Sequence, residues 1–84
     1  NKNMKKVTYR KAALKMLRRM PPKTAERIIG KIESYADDPG SQANNVKALV
    51  GVDAVRLRVG DWRVIMHDGV VLDVLNIAAR GSVY

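Results

Sequence analysis

The run Val55-Arg-Leu-Arg-Val-Gly-Asp-Trp-Arg-Val-Ile65 restricts the fold of this chain more than any other stretch. Val55, Leu57 and Val59 alternate with Arg56 and Arg58, Gly60-Asp61 interrupts, and a second run follows from Trp62 to Met66. A period of two sends successive side chains to opposite faces of a strand, and two such runs separated by a glycine-containing pair fold back as a tight β-hairpin. With Gly60-Asp61 as a two-residue turn, Val59 falls opposite Trp62, Arg58 opposite Arg63 and Leu57 opposite Val64. Arg56, Arg58 and Arg63 then share one face of the sheet.

The remaining segments arrange themselves around this hairpin. Lys5 to Tyr9 reads as a short strand with Val7 and Tyr9 on one side. Ala13, Leu14, Leu17 and Met20 recur at helical spacing, while Lys11, Lys15, Arg18 and Arg19 take up most of the remaining circumference. Pro21-Pro22 stops that helix and suits the first turn of another. Ala25, Ile28, Ile29, Ile32, Tyr35 and Ala36 then follow at three- and four-residue steps, the strongest periodic signal in the chain. Asp37-Asp38-Pro39-Gly40 ends the second helix, and Ser41 to Asn45 reads as a polar loop. His67-Asp68-Gly69 marks a further turn, and Val70 to Ile77 is almost continuously apolar, as expected of a central strand covered on both faces. The expected architecture is α+β: a helical hairpin packed on a small, mainly antiparallel four-stranded sheet, in the order β-α-α-β-β-β. One domain is expected over residues 1–84, with Met4 as a natural start and residues 1–3 as a remnant.

Composition narrows the partners. Cysteine is absent, which excludes a disulfide framework and thiolate chemistry, and no apolar run reaches the roughly 20 residues of a spanning helix. No signal-peptide core follows Asn1, so a soluble cytoplasmic protein with no membrane partner is expected. The net charge is +8, and 11 of the 16 Lys and Arg lie in the first 42 residues. Such an excess favours a polyanion or an acidic protein as partner.

The arginines on the hairpin carry the sharpest chemical signal. Directly paired side chains lie ~5 Å apart at the β-carbon, and like charges there destabilise by roughly a few tenths of a kcal/mol. An anion would relieve that repulsion, and a phosphate backbone matches the forked, permanently charged guanidinium. The plainer alternative is a solvated amphipathic strand, with Asp73 placed beside Arg63 by a three-residue turn and neutralising it. Arg80 and Tyr84 follow the last strand, where arginine suits a phosphate and tyrosine suits either base stacking or simple packing. Trp62 reads as a core anchor rather than a stacking platform. His67, the single histidine, sits at a turn without a nucleophile nearby and reads as a surface residue. Neither a metal-ligand spacing nor a P-loop, a dinucleotide turn or a nucleophile elbow is present.

The order of elements, the Val55–Ile65 segment and the ending Asn76-Ile-Ala-Ala-Arg-Gly-Ser-Val-Tyr84 resemble the RelE branch of the RelE/ParE toxins of bacterial toxin–antitoxin systems. The resemblance implies a ribosome-dependent endoribonuclease (an mRNA interferase) that enters the ribosomal A site beside ribosomal RNA. There the 2′-hydroxyl of the messenger RNA attacks the adjacent phosphate, without metal or cofactor. It implies a cognate antitoxin as partner. Carried over residue by residue, Arg56 and Arg58 hold RNA and compensate phosphate charge, and Arg63 stabilises the transition state. Arg80 helps the leaving group or binds phosphate, and Tyr84 orients or stacks on the substrate. Lys47, Arg18 and Arg19 join Arg56 and Arg58 as RNA-holding residues. The chain departs from the family pattern in the strand residues, often Lys in ribosome-dependent members and Arg here, and at Ala79, where many relatives have His. Arginine scarcely releases its proton and is a very poor general base. Two other functions fit the same features: a ParE-like inhibitor of DNA gyrase acting by binding, and a noncatalytic RNA-binding module.

Overall fold

The structure is a computed structural model and describes residues 5–79. Strand β1 (Val7–Tyr9) leads into helices α1 (Lys11–Arg19) and α2 (Pro22–Asp37), then a 3₁₀ stretch (Pro39–Asn45) and strands β2 (Val46–Ala48), β3 (Val55–Val59), β4 (Trp62–Asp68) and β5 (Leu72–Ala79). The strands form one sheet in the order β1-β5-β4-β3-β2, with β1 parallel to β5 and every other pair antiparallel. The α+β class holds, with five strands in place of the expected four. The additional strand is β2, three residues long, which pairs with β3 at the sheet edge. So short a segment carries no alternation to read, and only its partner makes it a strand. The polar loop expected over Ser41–Asn45 is the body of the 3₁₀ stretch, with Gln42 buried.

Proline sets the helix boundaries. Met20 and Asp38 each precede a proline and adopt extended backbone, at φ −95°, ψ 162° and φ −150°, ψ 90°, because the proline ring disfavours helical geometry in the residue before it. Pro22 opens α2, where its missing N–H is no loss.

Both helices cover one face of the sheet. Ala13, Ile28 and Ile32 meet Leu57, Val64, Met66, Leu72, Val74 and Ile77 in a continuous core in which each is at most 1% exposed. Burial of each large side chain there contributes about 1.5–3 kcal/mol. Met16 and Leu17 of α1 pack on this core while Leu14 is 37% exposed. The core-facing stripe is therefore Ala13, Met16, Leu17 and Met20, spaced at three- and four-residue steps, with Met16 and Leu17 half-buried and Leu14 on the flank. Trp62 packs against the same core, as expected of an anchor.

The apolar run before Ile77 has a different origin from the one its composition suggests. Val70 is 96% exposed in the β4–β5 turn, and β5 begins at Leu72. Met66 pairs with Val74 and Ile65 with Asn76, so Leu75 is an extra residue, and this bulge reverses the alternation. Leu72, Val74 and Ile77 all reach the helical side because of it, while Ala78, at 5% exposed, is buried on the opposite face.

Asp68 ties the far end of this layer together. Its carboxylate accepts a bond from Tyr35 Oη at 2.8 Å and pairs with Lys5, so α2, the segment entering β1 and the end of β4 are joined. Burial alone would raise the Asp68 carboxyl, but the bonds from Lys5 and Tyr35, with the charges of Lys5 and His67, hold it below its ordinary value. Tyr35 is pushed up to about 12, first by burial and then by Asp68.

Candidate nucleic-acid interface

The face of the sheet opposite the helices carries the hairpin arginines. Leu57 and Val59 turn inward, so Arg56 and Arg58 must turn outward. The register is the one the two-residue turn dictates: Val59 pairs with Trp62, Arg58 with Arg63, Leu57 with Val64 and Arg56 with Ile65. Gly60 makes the turn possible at φ +59°, a backbone conformation that costs any other residue energy. On the other side of β3, Lys47 pairs with Arg56. Two like-charged cross-strand pairs thus lie next to each other.

Lys47, Arg56, Arg58 and Arg63, with Asn44 and Asn45, line an open cavity of about 170 Å³. None of these linings is a carboxylate, and among the described residues none of the four cations forms an ion pair. Arg63 is steadied by the turn itself: Nη1 donates to Trp62 O at 3.2 Å and to Gly60 O at 3.4 Å. The guanidinium fork is thereby oriented without being neutralised, and Nε and Nη2 remain available as donors. Such a concave, cation-lined and half-exposed surface suits a phosphate group, and the two asparagine amides can add neutral donors beside it. Nothing periodic in the sequence marked Asn44 and Asn45. Their only signal is a polar pair just before Val46 and Lys47.

Asp73 does not neutralise the cluster. The connection between β4 and β5 is a three-residue turn over residues 69–71, closed by Asp68 opposite Leu72, and it sets Asp73 opposite His67 rather than beside Arg63. There it binds Arg10, which donates from Nε at 2.9 Å and from Nη2 at 2.8 Å, and Thr8 Oγ1 at 3.1 Å. The bond from Arg10 leads the effects that hold the Asp73 carboxyl below its ordinary value. His67 contacts Asp53 through Nε2 at 3.1 Å. It lies on the same face as Arg63 but four residues along β4, about 13 Å at the usual strand rise, outside the cavity. The open face is therefore polarised: unneutralised cations gather at the β3–β4 end, and the carboxylates are engaged at the other.

Arg18 and Arg19 do not join this group. They lie on α1, in the helical layer behind the sheet, where Arg18 lines a separate depression with Lys11, Leu14 and Lys15. Arg80 and Tyr84 lie outside the described residues. Among the described residues no helix is long and apolar enough to cross a membrane.

Comparison with known proteins agrees with this geometry. The RelE–RelB complex of Pyrococcus horikoshii OT3 contains a chain 26% identical, with a TM-score of 0.76 and coverage of 94% of this chain and 98% of that one. The RelBE2 toxin–antitoxin complex of Mycobacterium tuberculosis gives 15% identity, a TM-score of 0.75 and coverage of 92% and 99%. The intact RelBE complex of E. coli gives 19%, 0.70, and 93% and 98%. The likeness to the last two is one of fold. A search of curated proteins finds no match. Residues 7–84 match the profile described as the ParE toxin of the type II toxin–antitoxin system parDE. The chain therefore belongs to the RelE/ParE superfamily of type II toxins, with a fold close to that of RelE.

Proposed function

We propose that this toxin arrests translation by cutting messenger RNA on the surface formed by Lys47, Arg56, Arg58 and Arg63, and that a cognate antitoxin restrains it. The observation that carries the proposal is the convergence of those four cations in one cavity without a carboxylate in its lining. Self-repulsion of that kind is relieved by a bound polyanion. In the reaction, a ribose 2′-hydroxyl attacks the adjacent phosphorus and the bond to the 5′-oxygen of the next nucleotide breaks. The five-coordinate state carries more negative charge than the diester, so donors fixed in advance lower its energy more than that of the substrate. Arg63, steadied by Gly60 and Trp62, is the residue assigned to that state, while Arg56, Arg58 and Lys47 hold the flanking backbone. Arg80 and Tyr84 are assigned to the leaving group and to substrate orientation on the resemblance of their motif. The three lining guanidiniums donate and do not act as bases, so the catalysis attributed to them is electrostatic. The likeness to a RelE chain solved with RelB supports an antitoxin partner.

Mapping of transcript 5′ ends after induction tests the proposal. Wild type is expected to generate new ends within translated messages, and Arg63→Ala to reduce them by about 10²-fold, the usual effect of losing one transition-state donor. Growth arrest with unaltered messages refutes the nuclease. A second reading, inhibition of DNA gyrase by binding, is favoured by the ParE profile match over residues 7–84. It predicts DNA-damage signalling with intact messenger RNA.

A further inference from the structure

A second guanidinium approaches the β3–β4 turn from the helical layer. A β-carbon built on Gly60 would stand 3.4 Å from Nη1 of Arg27, 3.6 Å from Nη2 and 3.7 Å from Cζ. The guanidinium end of Arg27 therefore lies beside the glycine. Gly60 adopts the φ of +59° the turn requires, and Arg27 lies within van der Waals reach of it. Arg63 reaches the carbonyl oxygen of the same residue. Arg27 is exposed and, among the described residues, has neither a hydrogen-bond acceptor nor a carboxylate partner. Asp61, the turn's own acid, likewise forms no ion pair there.

We propose that Arg27 is a further RNA-positioning residue, which continues the cationic surface from the sheet cavity around the β3–β4 turn and holds a backbone phosphate of a single-stranded RNA beyond those held by Arg58 and Arg63. The inference rests on the proposed nucleic-acid role of the cavity. With Arg58 and Arg63 close by and Asp61 in no ion pair among the described residues, a further cation at the turn favours an anion bound alongside. Arg27 touches no reacting atom and acts by fixing the path of the strand.

The test measures binding of the full chain to a short fluorescent single-stranded RNA by anisotropy across a salt series, together with cleavage of translated messenger RNA. Arg27→Ala is expected to weaken binding roughly fivefold at low salt and to lower the slope of log affinity against log salt by about 0.7, the share of one phosphate on a single strand. Arg27→Lys is expected to restore the slope, since it keeps the charge. Lys6→Ala removes the same charge at the opposite end of the sheet and is expected to leave the slope unchanged. In cleavage, Arg27→Ala should raise KM and spare kcat. If wild type cuts messages while Arg27→Ala keeps its KM and its slope, this proposal falls and the nuclease stands. If wild type cuts nothing but binds RNA with an Arg27-dependent slope, the nuclease falls and this proposal stands. Absence of RNA binding by wild type overturns both.

Discussion

Removing one charge from the hairpin should make the folded protein more stable. Arg58 lies directly opposite Arg63, and Arg56 directly opposite Lys47, so Arg58 sits in the most crowded part of the cationic face. A like-charged pair across a strand costs on the order of a few tenths of a kcal/mol, and Arg58→Gln relieves one such pair together with the weaker repulsion from Arg56. The expected gain is about 0.5 kcal/mol at low salt, or roughly 2–4 °C in Tm for a domain of this size. Arg58→Lys keeps the charge and should show no gain. Urea unfolding of wild type and both variants provides the assay, first near 10 mM salt, where the screening length is about 30 Å, and again near 1 M, where it is about 3 Å. The advantage of Arg58→Gln should vanish at high salt because the repulsion is then screened in every variant. Short RNA or inorganic phosphate should stabilise wild type more than Arg58→Gln, since a ligand bound only to the folded state adds to its stability. If Arg58→Gln proves no more stable than wild type at low salt, or if its advantage survives at high salt, the cross-strand repulsion is not there.

Two other perturbations probe the supports of the surface. Gly60→Ala places a β-carbon on a residue at φ +59°, so urea unfolding should register a loss of about 1–2 kcal/mol; unchanged stability would mean the turn does not need that conformation. The Asp68 carboxyl is depressed in the folded state, so its contribution is present above the unfolded value near 4 and is lost as pH falls through the lower folded value. Asp68→Asn should flatten the acid limb of a stability–pH profile, and an acid limb as steep as that of wild type would refute the role assigned to this carboxylate.

Much of the fold could be read locally. The Gly60-Asp61 pair set the hairpin register because a two-residue turn leaves only one way to match the flanking residues, and Arg58 accordingly faces Arg63. Pro21-Pro22 divided the helices because proline acts on its immediate neighbours. Where two distant segments had to meet, local pattern was insufficient. Strand β2 is three residues that pair only because β3 presents a free edge. The plainer alternative put Asp73 beside Arg63 by counting through a three-residue turn, but the turn falls one residue later, so Asp73 lies opposite His67 and Arg10 at the end of β1 holds its carboxylate. Arg18 and Arg19 belong by composition with the other cations, yet the packing of α1 puts them behind the sheet.

From the sequence alone came the class of the domain, the hairpin and the placement of Arg56, Arg58 and Arg63 on a common face, since each follows from periodicity and turn chemistry within a few consecutive residues. Tertiary structure decided which other charged and polar side chains join them. Lys47 enters through strand pairing, Asn44 and Asn45 through the end of a 3₁₀ stretch, and Arg27 through the reach of its side chain from α2 to the β3–β4 turn. Electrostatic sites depend on distances through space, and a chain's order in sequence encodes those distances only within a single element.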